Sequence, residues 1–173
     1  MTINLANIHN QVVEMSDFDL KWRFTEEKYD VLPDQHLNQI KPLNKEAGNY
    51  LDQYIRSIEL HADEPFKKNL FRTIESINVS DGNEKEIKKW LYQRGLPIDK
   101  TVFVSWDRKN GAIVPLNILI KYFDSFYYPG SDDLTVIDES LNWALVFAHW
   151  DTIFFGANEK FKKSESAVNE EDF

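Results

Sequence analysis

A chain of 173 residues with 42% hydrophobic and 14% aromatic side chains holds enough apolar material for one packed domain, and only 6 Gly and 6 Pro argue against low complexity. The formal charge of −9, with no basic cluster larger than Lys88-Lys89 or Lys162-Lys163, points away from nucleic acid, because phosphates are bound chiefly through Lys and Arg. The absence of cysteine removes disulfides, thiolate nucleophiles and cysteine-ligated zinc.

At the N-terminal end, Phe18, Leu20, Trp22 and Phe24 alternate with Asp19, Lys21 and Arg23, the period of a half-buried strand. DQHLNQIK, between Pro33 and Pro42, reads as one short helix. From Asn44 the pattern becomes helical: Ala47, Tyr50, Leu51, Tyr54, Ile55 and Ile58 share one face, with Asn44 as N-cap and Glu46 in the first turn. A second helix is expected from Asp63-Glu64-Pro65, burying Phe66, Leu70, Ile74 and Ile77. After Ser80-Asp81-Gly82 a third follows, with Ile87, Trp90 and Leu91 as its apolar stripe and Gly95 and Pro97 as its stop.

The chain then turns β-branched. KTVFVSW, the turn DRKNG and the run AIV predict a hairpin. Pro115 opens a helix through LNILIKYFDSF, and YYPG ends it. Leu134 to Ile137, Trp143 to Ala148 and Thr152 to Phe155 predict three strands of an antiparallel meander. The expected fold class is therefore α+β, a central group of three to four helices packed on a C-terminal antiparallel sheet. Residues 1–158 form its single domain, and 159–173 an acidic tail expected to be disordered. No basic leader precedes an apolar stretch, and no run approaches the ~18 residues of a membrane span, so a cytoplasmic protein without membrane contact is expected.

No nucleotide-binding glycine loop, zinc helix, nucleophile elbow or calcium loop is present. The candidates for chemistry are Asp132, Asp133 and His149, since two carboxylates and an imidazole suit a divalent cation or acid–base work. Against this stands a structural reading. Adjacent residues in extended chain point to opposite faces, and Ser131-Asp132-Asp133 after Pro129-Gly130 is what a backbone turn requires. Tyr127, Tyr128, Trp143, Trp150 and Phe154 form an aromatic set, read as core packing or as a recognition surface. His9, His36 and His61 stand alone, without ligand spacing.

The stretch YYPGSDDLTVIDESLNWALVFAHWDTIFFG, with VFVSWD upstream, resembles a small uncharacterised family of gamma-proteobacteria. In size, acidity and aromatic content the chain is also similar to immunity-type proteins that neutralise toxins. That resemblance implies a binding role and carries over no catalytic residues. The leading expectation is a protein that binds another, basic protein through Tyr128, Asp132, Asp133, His149 and Trp150, with no cofactor and no metal. The alternatives are an enzyme or metal-binding protein using Asp132, Asp133 and His149, and a structural interaction protein.

Overall fold

The apolar run Trp143–Ala148 is buried at every position, as befits a strand inside a sheet covered on both faces. The computed structural model describes residues 2–159 and Phe161. Helices α1 (Trp22–Thr25) and α2 (Asp34–Leu37) precede strand β1 (Lys41–Pro42) and helix α3 (Lys45–Ser57). Strand β2 (Thr73–Asn78) and helix α4 (Glu84–Tyr92) follow, then the hairpin of β3 (Thr101–Ser105) and β4 (Gly111–Pro115). Helices α5 (Leu116–Lys121) and α6 (Phe123–Phe126) lead into β5 (Leu134–Ile137), β6 (Trp143–Ala148) and β7 (Thr152–Ala157). One antiparallel sheet results, in the order β1-β4-β3-β5-β6-β7-β2.

This corrects the expected fold class. No central group of three to four helices rests on a C-terminal sheet. Seven strands, drawn from residue 41 to residue 157, make one antiparallel sheet, and the helices are short and divided between its faces. The segment expected as a second helix is instead a loop followed by β2. Phe66 is buried, as its place in the pattern suggests, but Ile74 is 48% exposed. The helical spacing of Phe66, Leu70, Ile74 and Ile77 was outweighed by pairing: β2 lies along β7 from Thr73 opposite Ala157 to Asn78 opposite Thr152. Without it, the outer backbone groups of β7 would form a bare edge. The strand expected over residues 18–24 is also absent. Arg23 and Phe24 are both buried, which an alternating strand does not allow, and α1 delivers both inward within one turn.

Other expectations coincide with the structure. Asn44 Oδ1 accepts the Ala47 N–H at 2.8 Å and caps α3, and Gly95, at φ 74°, follows the end of α4. The α3 face of the sheet presents Phe103, Ile113, Ile137 and Val146 to Leu51 and Ile55. Burying a side chain such as Leu51, which is fully enclosed, contributes about 1.5–3 kcal/mol. The opposite face presents Val104, Val136, Leu145 and Phe147 to residues of α1, α4, α5 and α6. Gly48 lets α3 come down on the tip of the β3–β4 hairpin, since a β-carbon there would collide with the Lys109 carbonyl. Phe161 packs against the larger core, so apolar contacts continue past residue 158. The rest of the expected tail lies outside the described residues. Among the described residues, no helix is long and apolar enough to cross a membrane.

Candidate functional site

Tyr127 to Asp133 form the link between α6 and β5, and here the two aspartates part company. Gly130, at φ 90°, turns the chain back so that the Ser131 and Asp132 N–H groups both donate to the Tyr128 carbonyl. Asp132 then points inward. Its Oδ2 accepts the Tyr128 N–H at 2.7 Å, and its two oxygens meet Arg23 Nη1 and Nη2 at 2.6 and 3.0 Å. Both side chains are nearly buried, at 7% and 10% exposure. The Arg23 guanidinium lies 5.0 Å from the Trp22 ring centre and 4.7 Å from that of Tyr128, and Nη1 also donates to the Phe126 carbonyl at 3.2 Å. An arginine is suited to this slot, because its flat fork meets a carboxylate edge-on while rings cover its faces.

Asp133 points the other way. Its carboxylate, 63% exposed, accepts the His149 N–H at 2.9 Å and faces His149 Nδ1 at 3.0 Å. Asp133 and His149 meet, but Asp132 is turned away toward Arg23, so the three do not converge on one point as a shared cation would require. Among the described residues, no group of three His, Asp or Glu side chains could hold a metal ion. Trp150, in the β6–β7 turn, is 42% exposed and packs edge-on against His149, with ring centres 4.9 Å apart. Of the aromatic set, Tyr127 and Trp143 are core. The Tyr127 hydroxyl donates to the Ala148 carbonyl, and Trp143 Nε1 donates to Asp138 Oδ2 at 2.8 Å.

Two concavities flank this corner. The smaller, about 400 Å³, runs from Pro129 and Asp151 to Ser80, Asp81 and Glu84, with Tyr127 and Tyr128 as its aromatic walls and Asp124 lining it. Burial raises the Asp124 carboxyl above its ordinary value; Lys88 opposes the shift, while Asp30 and Glu84 add to it. Burial likewise raises the Tyr128 hydroxyl. Asp81, Glu84, Asp124 and Asp151 thus make the lining of this hollow acidic.

The larger, about 800 Å³, opens on the α3 face between the second half of α3, the following loop and the β3–β4 turn. At its base His61 Nε2 lies 3.0 Å from Thr135 Oγ1, while Nδ1 donates to the Pro65 carbonyl at 2.9 Å. His61, expected to stand alone, is thus fixed in orientation from both ring nitrogens. His36 also has a partner, the Tyr122 hydroxyl. Sequence reasoning missed this cleft and missed Asp124. The available signal was Ser105 and Thr135, hydroxyls inside the otherwise apolar runs TVFVSW and LTVI, which break the pattern of a sheet buried on both faces.

The fold is thus an antiparallel sheet between two helical layers, with an acidic, aromatic corner at one end. No family model, no curated protein and no solved structure matches this chain.

Proposed function

We propose that this protein acts by binding a basic protein, through the surface that runs from the His149–Asp151 turn over Tyr128 and Pro129 into the acidic hollow. The observation that supports it is Asp124, a carboxyl whose ionisation is resisted chiefly by burial, with Lys88 only partly offsetting that burial and the repulsion of Asp30 and Glu84, lining an open hollow with tyrosine walls. Such an arrangement costs the isolated protein stability. A lysine or arginine side chain entering the hollow would relieve that cost. Trp150 and the edge of Tyr128 supply the kind of ring that anchors protein interfaces. Asp132 is withdrawn from the contact set, because Arg23 already holds it. Asp133 and His149 remain on the rim.

The excess of negative charge over the whole chain speeds encounter with a basic partner. The resemblance to toxin-neutralising immunity-type proteins agrees with this reading, in a cytoplasmic setting. The test is to co-express the chain with the proteins encoded beside its gene and isolate stoichiometric complexes. A basic partner is expected, bound more weakly as salt rises and released by Asp124→Asn combined with Asp151→Asn. A complex that survives both substitutions, or no basic partner at all, overturns the proposal.

A further inference from the structure

The larger cleft is made by a change of side chains along the sheet. On the α3 face, Phe103 and Ile137 are directly opposed across β3 and β5, and Ser105 and Thr135 are the next opposed pair. Two large apolar groups give way to two small hydroxylic ones within one residue repeat, while α3 keeps its course above them. Their small size helps keep open a cleft of about 800 Å³, within the range of small-molecule sites. Ser105 and Thr135 are 5% and 8% exposed, so little water reaches them except through the cleft. Thr135 is bonded to His61, whereas Ser105 Oγ has no protein partner among the described residues.

The charge around the cleft narrows what could enter. Its four carboxylates are all engaged: Asp52 by Arg56 at 2.8 Å, Glu59 by Lys67, Asp133 by His149, and Asp107 by the Lys109 and Asn110 N–H groups at 2.8 and 2.9 Å. Arg108 and Lys109, on the hairpin turn, have no ion-pair partner among the described residues. Counting Arg56 and Lys67, four cations face four carboxylates, so the surroundings are close to neutral. A polyanion finds no net attraction there, and a cation finds no unengaged carboxylate. A single negative group can pair with Arg108 or Lys109, and hydroxyls can meet Ser105, Thr135 and His61. The apolar wall of Ile55 and Ala62 accommodates a short carbon chain. We infer that this cleft is a binding site for a small polyhydroxylated monocarboxylate, its carboxylate toward Arg108 and Lys109 and its hydroxyls on the Ser105–Thr135–His61 floor.

The test uses the full chain, backbone-amide NMR and three probes: gluconate, its uncharged counterpart sorbitol, and inorganic phosphate at matched ionic strength. Gluconate is expected to give saturable shifts at Ser105, Thr135, His61 and the 107–110 turn, with Kd below about 1 mM. Sorbitol and phosphate are expected to bind at least about tenfold more weakly, the value of one charge-assisted bond. The double variant S105A/T135V removes both hydroxyls while leaving the space open, and R108Q/K109Q removes the charges. Each is expected to weaken gluconate by about tenfold or more with the melting temperature preserved. If a double variant melts early, S105A and R108Q alone carry the comparison, with affinity lowered in each. No saturable gluconate shift, equal binding of sorbitol or phosphate, or undiminished affinity in the folded variants overturns the inference.

Discussion

Arg23 and Asp132, 109 residues apart in the chain, meet in a two-pronged ion pair enclosed by Trp22 and Tyr128. Asp133, the next residue, is open to solvent. Replacing Asp132 with Asn removes the charge opposite a buried guanidinium and should destabilise the fold by about 3–5 kcal/mol. Replacing Asp133 with Asn should change stability by no more than about 0.5 kcal/mol, the usual scale for surface positions. Urea denaturation of the two variants checks this. Equal effects would show that the buried pair does not organise the corner.

Asp124 reverses the usual sign. Burial raises its carboxyl above the ordinary aspartate value of 3.8, so in the pH range just above that value the folded protein holds more protons than the unfolded chain. Stability contributed by this group therefore falls as pH rises through its raised value, and the penalty is present wherever the carboxyl is ionised. Asp124→Asn should be more stable than the parent at pH 7, with the advantage shrinking as pH is lowered toward 3.8. Denaturation midpoints of both proteins across that range test it. A variant less stable at pH 7 would mean that the carboxylate is favourably held in the fold.

Gly48 permits the close approach of α3 to the hairpin tip. Gly48→Ala gains up to about 1 kcal/mol of helix propensity. The collision with the Lys109 carbonyl opposes that gain, and overpacking of this kind costs about 1–3 kcal/mol. A net loss is expected, read as a lower urea midpoint at unchanged slope. A rise in the midpoint would show that the helix can lift away freely.

Magnesium or calcium at millimolar concentration should leave the unfolding temperature where ionic strength alone puts it. Both ions need several oxygen ligands around one point. Asp132 and Asp133 diverge, and the first is occupied by Arg23. Thermal scans with each ion against a sodium chloride control decide this; a saturable shift lost in Asp133→Asn would restore a metal site to the corner.

The sequence by itself determined the local elements whose signals are short-range. The apolar stripe and Asn44 cap of α3, the stripe of α4, the β3–β4 hairpin, and the β5–β7 meander all follow from periodicity, capping and turn chemistry acting within a few residues. So does the divergence of Asp132 and Asp133, because extended chain sends neighbouring side chains to opposite faces, but which of the two turns inward is settled only by Arg23. The tertiary structure decided the rest. Only pairing with β7 makes Thr73–Asn78 a strand where spacing suggests a helix, and only the need of Asp132 for a buried partner draws Arg23 inward on a helical turn. The acidic hollow and the cleft were invisible for the same reason. Asp124 gains its character from burial, among Lys88, Asp30 and Glu84, and Thr135 from His61, surroundings that the chain assembles only when the sheet has formed. Their energies belong to burial and to distances between remote residues, which no local pattern encodes.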